Sequence, residues 1–418
     1  MSILSSLARR GTAGRLTRLT HGHLQIREPD RVLSAGNPAA APLVIDVHDP
    51  RFHEAVAFGG SVGAGEAYAQ GWWSADDLTG VVRLMLRNRE TLDGLETGTA
   101  SISGLVRRLI HTLNANSRRG ARRNIRAHYD LGNDFFRLFL DETLTYSCAL
   151  FERPDVTLAD ASLAKYDRIA ELLDLQPDDH LLEIGTGWGG FAIRAAGRYG
   201  CRVTTTTISR EQFALARERV RAAGLADRVT VLGQDYRDLS GRFDKLASIE
   251  MIEAIGPGQY RRFFEQGAAL LRPGGRAAIQ AITIADEHYE RASREVDFIK
   301  RYIFPGSCLP SRAALAEAAS GTGLDLVRAD EIGVHYAETL RRWRVNLLAN
   351  REPILALGFD ERFIRLWEFY LCYCEGGFLE RAIGTAQLSY GRAGAAVPTP
   401  VLVAPVPAAP AELAEVAA

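Results

Sequence analysis

The sequence predicts an α/β fold, a parallel sheet with crossover helices behind a smaller accessory domain. Two observations carry this. From His180 onward, apolar runs alternate with segments of helical period, the pattern of strands joined by helices across a sheet. Before that point the chain is mixed, with short apolar stretches such as Leu43-Val44-Ile45-Asp46-Val47 broken by glycine and proline. A chain of 418 residues, 47% of them hydrophobic, can bury two cores.

In chain order, residues 1–100 read as the accessory domain and 101–127 as a basic helical connector. Residues 128–392 read as the catalytic domain. Its strands are expected at 180–185, 202–208, 228–233, 243–250 and 276–284. Helices fit between them near 190–199, 211–223 and 258–271, with Gly224 and Gly274 as C-terminal caps of two of them. Further helices are expected over 288–301, 335–357 and 361–376. Residues 393–418 are rich in Ala and Pro without periodicity, the composition of a disordered tail.

A formal net charge of −1 argues against a general nucleic-acid binder. Arg9, Arg10, Arg15 and Arg18 precede the first acidic residue, Glu28, and a second cluster holds Arg118, Arg119, Arg122, Arg123 and Arg126. Such clusters are solvated faces or contacts for anionic lipid headgroups. No apolar run reaches the length of a membrane span, and the N-terminus lacks the apolar core of a secretory signal. The five cysteines, Cys148, Cys201, Cys308, Cys372 and Cys374, show no metal-ligand spacing and suit free thiols in a reducing compartment.

The run Glu183-Ile184-Gly185-Thr186-Gly187-Trp188-Gly189-Gly190 ends a strand and opens a helix. Glycines there allow a sharp turn and close approach of a ligand, and the helix N-terminus favours negative charge. The third glycine of the dinucleotide fingerprint is missing at its usual spacing, which argues against hydride transfer. The run resembles the first motif of Rossmann-like class I methyltransferases, which bind S-adenosylmethionine. Where many of these carry an acidic residue after the second strand, this chain has Thr207-Ile208-Ser209 and then Gln212, which takes the ribose role. Asp235 and Tyr236 are expected at the adenine end, with loop packing as the plainer reading of Tyr236.

His128-Tyr129-Asp130-Leu131-Gly132-Asn133-Asp134-Phe135-Phe136 and Tyr146-Ser147-Cys148-Ala149 are more specific. With Gly65-Glu66-Ala67-Tyr68, Gly71-Trp72-Trp73 and Tyr302-Ile303-Phe304-Pro305-Gly306, they resemble cyclopropane-fatty-acyl-phospholipid synthases and mycolic acid cyclopropane synthases over roughly residues 60–392. The resemblance implies a lipid-associated accessory domain and a phospholipid substrate with an unsaturated acyl chain. It also implies a homodimer, located in the cytoplasm on the inner face of the membrane. Tyr146 and Ser147 would join the cofactor site. A bicarbonate ion would be the base that closes the ring, held by Cys148, Glu253, Tyr336 and the backbone near Ile282. An alkene is a weak nucleophile, so such chemistry needs a dry pocket and aromatic faces for the cation formed. Cys374 matches a cysteine of the family's active site, with pocket lining as its expected role.

Two positions depart from the family pattern. Gln280 stands where many bacterial members have a histidine, and Ala254 follows Glu253 where many have another. Plainer readings remain for Cys148 as a small buried hydrophobe, Glu253 as a surface carboxylate and Tyr336 as core packing. Three other functions stay open: methyl transfer to a lipid without ring closure, N-methylation of a small amine, and lipid binding without turnover.

Overall fold

The computed structural model describes residues 3–93 and 131–393. The connector at 101–127, His128-Tyr129-Asp130 and the tail from 394 lie outside the described residues.

The N-terminal part pairs helices with a small sheet. α1 (Ile3–Leu16) precedes β1 (His23–Glu28), β2 (Arg31–Gly36) and β3 (Pro42–Val47), then α2 (Arg51–Ala69), β4 (Trp73–Ala75), α3 (Leu78–Arg87) and α4 (Arg89–Asp93). The sheet order is β2-β1-β3-β4. β1 runs parallel to β3 and antiparallel to β2, which puts Leu24, Ile26 and Ile45 into the core. Arg9 is not a free headgroup contact: it pairs with Glu28 and Asp30.

The larger part begins with α5 (Asn133–Arg137) and α6 (Leu158–Leu173). The alternating core follows as β5 (His180–Ile184), α7 (Gly190–Tyr199), β6 (Arg202–Thr206), α8 (Arg210–Ala222), β7 (Val229–Leu232), β8 (Phe243–Ile249), α9 (Tyr260–Leu270) and β9 (Leu271–Ile284). Then come α10 (Asp286–Arg294), α11 (Phe298–Tyr302), α12 (Arg312–Ala319), β10 (Leu324–Glu331), α13 (Gly333–Ala349), α14 (Arg351–Ala356), α15 (Glu361–Leu379) and β11 (Ile383–Arg392). Among the described residues, no helix is long and apolar enough to cross a membrane.

The seven strands lie in the order β10-β11-β9-β8-β5-β6-β7. β5 to β9 are parallel, and β11 joins antiparallel to both β9 and β10, so the sheet is mixed. Leu181, Leu182 and Ile184 are all buried because helices cover both faces of a parallel strand, which is why adjacent residues of β5 are apolar instead of alternating. β10 and β11 lie outside the strands expected from sequence. In β11 the alternate residues Thr385, Gln387 and Ser389 are polar yet buried, so hydrophobic patterning did not mark it.

Smaller corrections concern the helices. Expected helix 288–301 divides into α10 and α11, and 335–357 into α13 and α14. Gly224 follows α8 with φ +69°, as a cap should. Gly274 does not cap α9: the helix ends at Leu270, and Gly274 turns the chain within β9, donating to the Ala393 carbonyl at 3.0 Å.

α15 joins the two parts. Arg365 donates to the carbonyls of Tyr68 (2.6 Å) and Trp73 (2.7 Å) and lies 4.1 Å from the centre of the Tyr68 ring. The Tyr68 hydroxyl donates to Glu368 at 2.8 Å, and the Trp73 indole to the Ala64 carbonyl at 2.9 Å. Gly65 must be small: a Cβ there would lie 2.4 Å from the Phe298 ring and 2.9 Å from that of Phe369. The Gly65–Tyr68 and Gly71–Trp73 motifs are thus the seam between the two parts. Gly65→Ala is expected to destabilise the protein by about 1–3 kcal/mol through overpacking. The midpoint of urea unfolding will check this, and an unchanged midpoint would mean that the seam yields freely.

Candidate active site

β5 delivers the chain to a turn that only glycines make easily. Gly185, Gly187 and Gly189 have φ of +105°, +51° and +86°. The turn is pinned where the Gly185 and Thr186 amides donate to the Thr206 carbonyl, each at 3.1 Å. A Cβ on Gly187 would meet no atom within 4 Å, so the loop faces open space, as a nucleoside-bearing ligand requires. Glu183 is buried below it and accepts from the Thr205 hydroxyl; burial pushes its carboxyl up to about 8. Ser209 caps α8 and sets Gln212 in the first turn, where its Oε1 accepts from the Thr207 hydroxyl at 2.9 Å. Asp235 is clamped by Arg237, with contacts at 2.8 and 2.6 Å. Tyr236 packs on Phe263.

A second cluster lies past β8, at the carboxyl ends of the strands where open α/β sheets hold their ligands. Its centre is Glu250, with a left-handed φ of +50°. The half-buried carboxylate accepts three hydrogen bonds: from the Cys148 amide (2.9 Å), the Gln280 side-chain amide (2.7 Å) and the Tyr336 hydroxyl (2.7 Å). Burial raises its pKa, and those three donors pull it back. Glu253 lies beside it, with one oxygen on the Ile282 amide and the other buried without a partner among the described residues. Burial and the Glu250 charge push the Glu253 carboxyl up to about 8. Lys165, also buried, donates to Ser147 at 2.7 Å, and burial brings it down to about 8.

The Cys148 thiol points away, donating to the Ala149 carbonyl at 3.2 Å, and burial raises its pKa. The residues that the resemblance assigns to bicarbonate therefore do not fit a free anion. The Cys148 amide, Gln280 and Tyr336 are all committed to Glu250, and the Ile282 amide to Glu253.

One cavity of about 1440 Å³ connects these features. The turn, Thr207, Ile208, Gln212, Asp235 and Tyr236 line one end; Tyr146, Ser147, Glu250, Glu253, Ile282, Tyr336 and Cys374 line the middle. The far end is apolar and belongs to the N-terminal part, with Leu24, Ile26, Phe52, Trp73 and Met85. Tyr146, Phe304 and Tyr370 give the middle an aromatic wall, with the Tyr146 and Tyr370 hydroxyls 2.9 Å apart. Cys148, Gly189 and Gln280 stand behind the wall rather than on it. Sequence reading missed Glu250 and Lys165. Glu250 was visible as a second acid three residues before Glu253, but nothing in that spacing says that it faces inward.

The strand order, the glycine turn and the helix that follows it define a class I S-adenosylmethionine-dependent methyltransferase. The family model for mycolic acid cyclopropane synthetase matches residues 116–388. The chain is 40% identical to a tuberculostearic acid methyltransferase of Mycobacterium tuberculosis, over 91% of each chain. It is 36% identical to a cyclopropane-fatty-acyl-phospholipid synthase of Escherichia coli, over 84% of this chain and 89% of the other. A solved mycolic acid cyclopropane synthase complexed with SAH and CTAB superposes with a TM-score of 0.62 at 35% identity, covering 65% of this chain and 98% of that one. The chain belongs to the mycolic acid cyclopropane synthetase family.

Two outcomes are expected. Gly187→Val, forcing a β-branched residue into left-handed backbone at about 1–2 kcal/mol, should weaken S-adenosylmethionine binding roughly tenfold or more in calorimetry; wild-type affinity would remove the turn from the cofactor site. His335, next to Tyr336, accepts from the Phe151 amide at 3.2 Å, and burial lowers its pKa to about 4. Its neutral ring therefore contributes fully above the unfolded pKa near 6.5, and that contribution is lost as pH falls toward 4. The thermal midpoint of wild type should fall more steeply across that window than that of His335→Gln; parallel curves would contradict it.

Proposed function

We propose that this chain methylates the double bond of an unsaturated fatty acyl chain of a membrane phospholipid and closes a cyclopropane ring. The observation that carries the reading is the continuity of the cavity. Its glycine turn, its carboxylates and its apolar end under the N-terminal sheet share one space. An acyl chain lying in the apolar end would bring its middle carbons to the aromatic wall.

S-adenosylmethionine, when bound, supplies an electrophilic methyl group. The turn at Gly185–Gly189 and Gln212 would hold it, and the chain's own residues do the rest. Apolar walls keep water from a cation on the lipid, and the faces of Tyr146, Phe304 and Tyr370 stabilise that cation by about 2 kcal/mol each when desolvated. Trp343, 5.1 Å from Tyr146, stiffens this wall.

A second reading keeps the cofactor and the lipid and omits ring closure. It is favoured by the relative named for tuberculostearic acid, which matches 91% of this chain. In that case the proton leaves the acyl chain instead of the new methyl, and an unsaturated methyl-branched product results.

The test is expression in a bacterial host lacking its own synthase, fed isotopically labelled methionine, with mass spectrometry of total fatty acids. The expected product is one labelled methylene heavier than a monounsaturated acid and resists mild hydrogenation. A product of that mass that still takes up hydrogen would establish the second reading. No new lipid from folded protein would refute both.

A further inference from the structure

We propose that Glu250 is the resident base of this enzyme, a protein carboxylate standing where the family resemblance places a bicarbonate ion. The inference rests on the alkene-methylation reading above.

Three observations support it. The Cys148 amide, the Gln280 amide and the Tyr336 hydroxyl converge on one carboxylate, from a loop, a strand and a helix that are far apart in sequence. These three donors satisfy an anion, and the anion they satisfy is Glu250. Next, an added bicarbonate would bring its charge beside the Glu250 carboxylate and the buried Glu253 carboxyl, while Lys165 is already turned to Ser147. Burying another unpaired charge there is strongly unfavourable. Finally, Glu250 holds φ +50°, a conformation that penalises a side chain by about 1–2 kcal/mol and that glycine adopts freely. Strain retained at a half-buried carboxylate on the cavity wall marks a side chain whose position is used.

The step balances within the site. After methyl delivery, one former alkene carbon bears the new methyl and the other carries the positive charge. A Glu250 oxygen takes one proton from that methyl. The C–H electron pair becomes the third bond of the ring and neutralises the positive carbon. Glu250 is left as a neutral carboxylic acid and returns its proton to water once the product has gone. Three hydrogen bonds hold the carboxylate in place, which restrains it from adding to the cation itself. Glu253, with one oxygen unpartnered, flanks the same space as a positioning residue.

The experiment compares wild type, Glu250→Gln and Glu250→Gly in buffer stripped of carbon dioxide and in buffer with added bicarbonate or formate. S-adenosylmethionine affinity by calorimetry reports the fold of each variant. Wild-type turnover should be indifferent to bicarbonate. Glu250→Gln should lose at least about 100-fold in turnover, the contribution of a general base, and gain nothing from added anion because its amide still fills the site. Glu250→Gly relieves the strained backbone and leaves the three donors open, so bicarbonate or formate should restore a large part of its activity. A wild type that stops without bicarbonate overturns the inference, as does a Glu250→Gln variant at wild-type turnover. So does a cofactor-binding Glu250→Gly that no anion rescues. A wild type that methylates no lipid refutes the underlying reading instead, and the labelled-lipid assay separates the two.

Discussion

A half-buried carboxylate past the end of the central sheet is the constraint around which this active site is arranged. Left alone at that depth, the Glu250 charge would be intolerable. It is kept by one amide from the Tyr146–Ala149 loop, one from β9 and one hydroxyl from α13. Each donor fixes its own segment in turn. The loop is further tied by the Ala149 amide to Thr339 at 3.1 Å and by the Phe151 amide to His335. Gln280 is oriented from behind by Gln387 of β11, at 3.0 Å. The antiparallel addition to the sheet thus reaches the site through a pair of glutamines, which explains why polar residues are buried along β11.

The same logic makes the N-terminal part more than an appendage. Its sheet covers the apolar end of the cavity, and α15 carries the residues that attach it. Gly376 of α15 is as tightly placed as Gly65 of α2: a Cβ would lie 2.7 Å from Val82 of α3. Small residues at both contacts let the helices approach closely enough to seal the cavity. Glu375 lies on the same stretch, holding Thr79 of α3 at 3.1 Å and Arg344 of α13 at 3.0 Å. The helix therefore links the wall of the active site to the cover of the apolar end, and neither is independent of the other.

Much of the cofactor end was legible in the residues. Glu183 to Gly190 announces a strand, a turn and a helix, and local backbone chemistry at Gly185, Gly187 and Gly189 leaves few alternatives. Gln212 followed from its place after Ser209, a helix cap recognisable by type. The carboxylate cluster and its surroundings were less legible. Cys148 could be named from its motif, yet whether its thiol or its amide faces the site depends on a loop held by α13. Asp235 could be placed after β7, but its clamp by Arg237 is a matter of rotamers rather than spacing.

The sequence by itself determined the parallel half of the sheet, the glycine turn and the order of the family's motifs. These depend on short-range rules: apolar runs where a strand is buried on both faces, and glycine where φ must be positive. The tertiary structure alone decided that Glu250 lies inside, that β10 and β11 extend the sheet, and that the N-terminal part closes the cavity. Cys148 and Tyr336 lie 102 and 86 residues from Glu250 along the chain, and Gln387 lies 107 from Gln280. A buried polar side chain is tolerable only with its partners present. Partners so distant are invisible to any pattern read along the chain, so what they permit becomes known only when the fold brings them together.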